Sequence, residues 1–472
     1  MVKLKEDGMV RFVNFFTIFS LVLTGLLISP AVGADKGDLT GDSFVDIDDM
    51  AVIADNWLED YPRADLAPIS GNPNVSISDG DGIIDLQDFG LLAQNWKDES
   101  LTVSSNALDY CLQTILATEA DLVATWGLEN TPESTINSYS EWRIYWRSDP
   151  DYIEGWTNGF FPGCLWYMYE LTGDPFIKIK AMMWTGRIEG MKNYTQMRDH
   201  GFVFLCSFRN GYRLGGPECA GFNDVVHTAA STLADAGYSD VVGCLESWDW
   251  GGYATKFTTI IDTMMNIEIL FWSARTGGDP NLYDIAVNHA YKTRDYFVRE
   301  DGSNCNIITF DESTGEPIEW ECDPCEPWSR GQAWGAHGFT IAYRETGDPN
   351  FLETAQKMTD YFLDNLPTDM VPPNHFNTAE AKDSSASAIA ASGLLELCTL
   401  VTDPNDQERY YNAAKDILTS LTTSYLDGGY MAGGSDVCLL RETNGTTEGR
   451  IYADYYFVEA LMRYYDLTGW PE

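Results

Sequence analysis

From about residue 105 onward the apolar residues fall at helical spacing, and no alternating strand pattern competes with it. A turn signal punctuates the helical stretches. It reads Tyr169-Glu170-Leu171-Thr172-Gly173-Asp174-Pro175 and, in weaker form, Tyr212-Arg213-Leu214-Gly215-Gly216-Pro217. It returns at Thr276-Gly277-Gly278-Asp279-Pro280, Thr346-Gly347-Asp348-Pro349, Val401-Thr402-Asp403-Pro404 and Leu467-Thr468-Gly469-Trp470-Pro471. Glycine ends one helix in a left-handed conformation, aspartate caps the next, and proline occupies its first turn. Each signal therefore predicts a tight helix–helix connection. Repeated along one domain, they predict helical hairpins arranged in a ring: an all-α (α/α)6 barrel over residues 105–472, with a ligand in its mouth.

Three segments of this domain carry more than packing. Trp328-Ser329-Arg330-Gly331-Gln332-Ala333-Trp334-Gly335 sets a guanidinium and a carboxamide between two indoles at the start of a helix continued by Phe339, Ile341 and Ala342. A planar cation beside an aromatic wall suits a polar ring such as a sugar, though an arginine stem can also merely cover a core tryptophan. Asp262 lies in the apolar run Thr258 to Trp272, read as a helix, with Asn266 one turn later to orient it. A carboxylate there is costly unless hydrogen-bonded or facing a cavity, and partial desolvation would raise its pKa towards that of a general acid. Asp199, in Arg198-Asp199-His200-Gly201-Phe202, reads from the residues alone as a helix N-cap. The five histidines are scattered without metal-ligand spacing.

The first hundred residues differ in kind. Lys3, Lys5 and Arg11, the apolar run Phe15 to Ile28 and the small-residue site Val32-Gly33-Ala34 predict a signal peptide over 1–34. The mature protein is then expected outside the cytoplasm, secreted or periplasmic or at the cell surface. Residues 35–100 contain a duplicated acidic unit. Its first copy offers Asp38, Thr40, Asp42, the Phe44 carbonyl, Asp46 and Asp49, and its second offers Asp79, Asp81, the Ile83 carbonyl, Asp85 and Asp88. Each copy ends in Asn-Trp, at Asn56-Trp57 and Asn95-Trp96. Oxygen ligands at loop positions 1, 3, 5, 7, 9 and 12 suit a Ca2+ ion. In the second copy position 1 falls on Ile77, so Asp65 is the candidate there across an insertion.

Charge narrows the partners. With 29 Lys+Arg against 72 Asp+Glu the formal net charge is −43, which argues against nucleic acid and anionic membranes. An anionic substrate would need a local basic site. The ten cysteines form no disulfide-dense framework. In an exported chain a Cys206–Cys219 or Cys322–Cys325 bridge is permitted, and buried free thiols are the alternative.

The duplicated acidic unit resembles the type I dockerin, which implies calcium-dependent docking to a cohesin-bearing partner. The larger domain resembles glycoside hydrolase family 88, the unsaturated glucuronyl hydrolases. The matching segments are Trp156 to Gly163, Asp199 to Phe202, Ile261-Asp262 through Asn266, Val298 to Ser303, Trp328 to Gly335, Asp383-Ser384-Ser385 through Gly393, and Tyr452 to Phe457, in family order. The resemblance implies an (α/α)6 barrel with no cofactor in catalysis. It implies substrates that are oligosaccharides ending in a 4,5-unsaturated uronic acid, hydrated at the C4=C5 vinyl ether. It also implies Asp262 as general acid/base and Asp199 as the second essential carboxylate. Arg330, Trp334 and Trp156 match substrate-binding positions, with Asn266 beside them. Arg198, Asn306 and the stretch Trp320-Glu321-Cys322 depart from the family pattern and leave the neighbouring sugar open. The alternatives are a family 105-like unsaturated rhamnogalacturonyl hydrolase acting on pectin fragments and a non-catalytic carbohydrate-binding dockerin protein.

Overall fold

A computed structural model describes residues 107–126, 130–136, 141–146, 155–247, 256–321, 327–426, 438–443 and 448–468. All fall within the compact unit Thr102–Glu472. The expected signal peptide, the dockerin-like segment with its calcium ligands from Asp38 to Asp88, and Cys322–Cys325 lie outside the described residues.

In chain order the helices are α1 (Ala107–Trp126), α2 (Phe160–Thr172), α3 (Pro175–Arg187), α4 (His200–Phe204), α5 (Asn210–Leu214), α6 (Phe222–Gly237) and α7 (Thr263–Asn266). They continue as α8 (Glu268–Arg275), α9 (Asn281–Phe297), α10 (Ser329–Thr346), α11 (Pro349–Asp364), α12 (Ser384–Leu400), α13 (Pro404–Ser420) and α14 (Ile451–Thr468). A π-helical turn, Leu205–Arg209, joins α4 to α5.

Burial sorts them into two shells. In α10 everything from Ser329 to Ala342 is buried, in α12 everything from Ser384 to Cys398, and in α14 everything from Ile451 to Met462. Helices buried all round belong inside. By contrast α11 buries one stripe, Phe351, Thr354, Ala355, Met358 and Phe362, as an outer helix should. The inner elements touch in order, α2 to the π turn, α4 to α7, α7 to α10, α10 to α12, α12 to α14 and α14 back to α2, so the ring closes. Small residues let the inner backbones approach. A Cβ on Gly338 of α10 would lie 2.5 Å from the Met264 Cβ of α7.

The turn signals lie where an inner helix hands over to an outer one. Gly173 ends α2 at φ 69°, Asp174 accepts from the Phe176 N–H at 2.7 Å, and Pro175 opens α3. The α10–α11 turn repeats this with Gly347 at φ 67° and Asp348 capping Asn350 at 3.0 Å. Asp403 caps α13 without a preceding glycine. The Gly216–Pro217 signal departs from the pattern: it forms a 3-10 turn, Gly216–Cys219, and α6 starts without an aspartate cap. Gly469 to Pro471 lies outside the described residues.

The return connections, from outer to inner helix, are longer and hold strands that the apolar pattern did not predict. β1 (Asn130–Ile136) pairs with β2 (Glu141–Trp146), and β3 (Tyr238–Ser239) with β4 (Cys244–Leu245). β5 (Phe257–Ile260), β6 (Ile307–Phe310) and β7 (Pro317–Glu321) form an antiparallel sheet, with Thr259 opposite Ile308 and Ile308 opposite Trp320. Thus Thr258 to Ile260, expected in a helix, is a strand. Its β-branched residues fit a pleated surface.

Cys206 and Cys219 are buried free thiols rather than a bridge, and Cys305 is disulfide-bonded. Among the described residues no helix is long and apolar enough to cross a membrane.

Candidate active site

The long return connections end at one mouth of the barrel, where the inner helices begin. The sequence candidates gather there. Asp262 stands where β5 gives way to α7, at φ −59° and ψ −23°, not inside a continuous helix as the apolar run predicted. The strand end is held by the Ile261 N–H, which donates to the Asn306 carbonyl at 3.0 Å. The Asp262 carboxyl is half-buried, and its Oδ1 is buried with no hydrogen-bond partner. Burial pushes its pKa up to about 7; the Arg330 charge pulls the other way, and the Asp199 charge adds to the rise.

Asp199 precedes α4 but makes no capping bond with its side chain. Instead its Oδ1 accepts from Asn266 Nδ2 at 2.9 Å. The Asn266 Oδ1 in turn accepts from the Phe202 N–H at 3.0 Å, which fixes the orientation of the amide. Asn266 therefore orients Asp199 rather than Asp262. In an unbroken helix residues 262 and 266 would share a face, but the helix begins only at Thr263. Close approach of α4 to α7 makes the bond possible. A Cβ on Gly201 would meet the Asn266 Cα at 2.5 Å. Burial raises the Asp199 pKa to about 6, against the pull of Asn266 and Arg198. Arg198 itself pairs with Glu246 at 3.1 Å.

Arg330 enters the mouth in the first turn of α10. Its Nη1 donates to Asp383 Oδ2 at 2.6 Å. Its guanidinium lies over Trp328, 4.4 Å from the ring centroid, and beside Tyr452 at 5.4 Å. Tyr452 stacks on Trp156 at 5.2 Å and 30°. The order Trp328, Arg330, Tyr452, Trp156 is a continuous flat surface, and Trp156 keeps part of its ring exposed. Trp334 is placed differently from expectation. One turn deeper in α10, it is 0% exposed between Phe202 at 5.1 Å and Tyr456 at 5.0 Å. It backs the surface and does not present its face to the mouth.

Gln332, suggestive in sequence, has a structural task. Its amide accepts from the Asn304 N–H at 3.1 Å and donates to the Gly302 and Met358 carbonyls at 2.7 and 3.0 Å. Residues that the sequence did not assign to the site one by one are Tyr452 and Asp383, while Trp328 is the aromatic wall expected beside Arg330. Tyr452 had a signal, in the matching segment Tyr452 to Phe457. Asp383 stood in the matching segment Asp383 to Gly393, but its role was hidden because its partner Arg330 is 53 residues away. His200 is buried and its pKa is depressed by burial to about 3, so it stays neutral.

The electrostatics answer the charge question. The long inner helices α2, α10, α12 and α14 start at this mouth, so their positive ends and Arg330 converge on it. That is the local basic site an anionic ligand needs on a chain of net charge −43. Among the described residues no cluster of three or more His, Cys, Asp or Glu side chains is placed to hold a metal ion.

A closed ring of inner helices with two carboxyls of raised pKa, an arginine and flat aromatic surfaces at one mouth is the architecture of an (α/α)6 glycoside hydrolase. The chain is 36% identical over 326 residues to an unsaturated glucuronyl hydrolase of Formosa agariphila, a match covering 65% of this chain and 79% of that protein. It is 31% identical over 329 residues to an unsaturated chondroitin disaccharide hydrolase of Streptococcus pyogenes, covering 66% and 81%. Among solved structures, an unsaturated glucuronyl hydrolase specific for heparin superposes with a TM-score of 0.68 at 30% identity, over 77% of this chain and 98% of that one. The unsaturated glucuronyl hydrolase of Bacillus sp. GL1 gives 0.67 at 28% identity, over 75% and 96%. No protein-family model matches the chain, so the assignment rests on these individual relatives. The chain belongs to the unsaturated glucuronyl hydrolase family of glycoside hydrolases.

Proposed function

We propose that this enzyme removes the 4,5-unsaturated uronic acid from the non-reducing end of oligosaccharides produced by polysaccharide lyases. The observation that carries this reading is the Asp262 carboxyl. It has an unpartnered oxygen, its pKa is raised to about 7, and it lies within the field of Arg330. Such a group can give a proton and take one back near neutral pH.

The steps follow from those residues. The uronate ring lies against the Trp156–Tyr452 surface, and its carboxylate faces Arg330 and the helix N-termini. Protonated Asp262 gives its proton to C4 of the C4=C5 bond. Positive charge builds at C5 and on the ring oxygen, and water attacks C5 while its proton passes to the Asp262 carboxylate. The product is a hemiketal. It opens by cleavage of the C5–O5 bond to a C5 ketone, leaving a hemiacetal at C1 that expels the aglycone alcohol. Asp199, held by Asn266, orients ring hydroxyls and supports the developing charge while ionised. This differs from displacement at the anomeric carbon by two carboxylates.

The test is loss of the ultraviolet absorbance of unsaturated disaccharides. Relatives named for chondroitin disaccharide and for heparin make glycosaminoglycan lyase products the first substrates to try. Pectin lyase products in the same panel judge the rhamnogalacturonyl alternative. A folded protein that leaves every substrate in the panel unchanged overturns the enzymatic assignment to this substrate class.

We further propose export and a calcium-binding, dockerin-like module over 35–100, on the strength of the signal-like leader and the oxygen-ligand spacing. A disulfide at Cys305 fits an oxidising compartment. Calorimetry of the full chain with Ca2+ and with chelator tests the module. A profile unchanged by chelation removes that part of the proposal, and a cohesin-bearing partner with it.

A further inference from the structure

Asp383 ties two parts of the mouth together. It is 0% exposed, at the start of α12. One oxygen, Oδ1, accepts from the Ser385 N–H at 3.2 Å and from the Ser385 hydroxyl. The other, Oδ2, accepts from Arg330 Nη1 at 2.6 Å. One buried carboxylate thus ties the start of α12 to the arginine that lies beside Tyr452. Neighbouring backbone holds Asp383 in turn: its N–H donates to the Pro372 carbonyl at 2.9 Å, and the Ser384 N–H to the Glu442 carbonyl at 2.9 Å.

Capping α12 requires only one acceptor oxygen, and asparagine caps as well as aspartate. The second oxygen and the negative charge exceed that task. Resting on the functional reading above, we propose that Asp383 is a positioning residue of this mouth: it fixes the Arg330 guanidinium against Trp328 and Tyr452 and offsets part of the positive charge that Asp262 meets.

Among the described residues the charged and titratable groups around Arg330 are Asp383 at the start of α12, Tyr452 on α14, and Asp262 between β5 and α7. Asp199 lies beyond, coupled to Asp262, with Arg198 next to it in sequence and His200 neutral in α4. Arg450 acts on Tyr452 from the α14 side. Without the Asp383 charge, Arg330 pulls harder on Asp262, and Asp262 loses its proton at lower pH. The guanidinium also loses its charge-assisted anchor.

The experiment compares Asp383→Asn with the wild type over a range of pH. KM should rise about tenfold as the arginine loosens, and Tm should fall because the buried guanidinium loses its charged partner. The alkaline limb of kcat should move down by about half a pH unit or more, because Asp262 must be protonated to act. A residue that only caps the helix would leave both KM and the limb alone. A folded Asp383→Asn with wild-type KM and limb overturns the proposal. If that variant does not fold, Arg330→Gln is compared with Arg330→Gln/Asp383→Asn, where no buried guanidinium is left unpaired. Positioning through Arg330 predicts that the second change adds no further rise in KM; an added rise overturns it. Titration of the Asp262 carboxyl by 13C NMR needs no substrate and should move the same way. Wild-type inactivity would strike the functional reading, and the carboxyl titration would still judge Asp383.

Discussion

The two ends of the inner barrel bury carboxylates under opposite rules. At the mouth, Asp262 and Asp199 have few partners, and burial raises them to about 7 and about 6. At the far end, along the C-terminal halves of the inner helices, arginines and glutamates alternate. Arg209 donates to Glu268 at 2.6 Å, Arg344 bridges Glu268 and Glu396 at 2.6 Å each, and Arg463 reaches Glu396 at 2.5 Å. Glu459, near Arg463 at 3.7 Å, accepts from Tyr167 at 2.7 Å and Ser392 at 2.6 Å. Burial alone would raise Glu268, yet Arg209 and Arg344 pull it down to about 2. Arg463 and Arg344 likewise hold Glu396 well below the ordinary range against its burial. The deciding variable is the supply of arginine per carboxylate. Saturated carboxylates cannot donate a proton near neutral pH and serve as a clamp; undersupplied ones can. At the mouth Arg330 is shared between Asp383 and the field of Asp262, and Arg198 beside Asp199 is engaged by Glu246.

The strongest way to break this contrast is to remove the proton donor. Asp262→Asn keeps size and polarity, so the fold should persist. Its kcat should fall by roughly 10²–10⁴-fold, with KM much less affected, since the proton moves only in the transition state. A folded variant with near-normal kcat would show that the acid lies elsewhere, with Asp199 the next candidate. At the far end the opposite is expected. Glu268→Ala leaves Arg209 and Arg344 short of an acceptor in the interior and should cost about 3–5 kcal/mol of stability. The folded fraction should keep kcat within a few-fold. Denaturant unfolding beside kinetics checks both halves, and a large kcat loss with intact stability would mean the ring is part of the chemistry.

How much of this contrast is legible in the sequence depends on the range of the interaction. The Gly-Asp-Pro turns are local, three residues defining one conformation, and they gave the hairpins. Arg330 was visible because its aromatic neighbour Trp328 is two residues away. The role of Asp383 was not, because its bond to Arg330 spans 53 residues and only the closed ring brings them together. The role of Asn266 was misread for a related reason. A short apolar run fits strand or helix equally, and reading Thr258 to Ile260 as helix put Asn266 on the wrong carboxylate. Trp334 shows the depth problem: four residues from Arg330 on the same helix, it is one turn further from the mouth and fully enclosed.

pH sharpens the comparison. In the free enzyme Asp199 acts ionised and Asp262 protonated, so kcat/KM should peak between about pH 6 and 7, with apparent values belonging to the coupled pair. Asp199→Asn removes a charge that raises Asp262, so the alkaline limb should shift down; an upward shift would contradict the coupling. Stability should respond with opposite signs at the two ends. Glu268, depressed in the fold, stabilises above its ordinary 4.5, and that contribution is lost as pH falls towards about 2. Asp262 is raised, so its contribution is present below 3.8 and is lost as pH rises through about 7. Asp262→Asn should therefore be more stable than wild type at pH 8 and about equal to it at pH 3. Chemical denaturation at the two pH values reads this directly.

The smallest expected effect belongs to the turns themselves. Asp174 caps α3 by accepting from the Phe176 N–H at 2.7 Å, at the end of α2 remote from the mouth. Asp174→Ala removes that acceptor and should lower stability by about 0.5–2 kcal/mol. Proline at the first turn and Gly173 at φ 69° still direct the chain, so the hairpin should form. Among the described residues no group of the mouth hydrogen-bonds to Asp174, so kcat, KM and both pH limbs should match the wild type. The measurement is a melting curve beside a full pH–rate profile. A displaced limb would mean that the handover turns communicate with the carboxylates of the mouth, and the separation of the barrel into a clamped end and a reactive end would have to be given up.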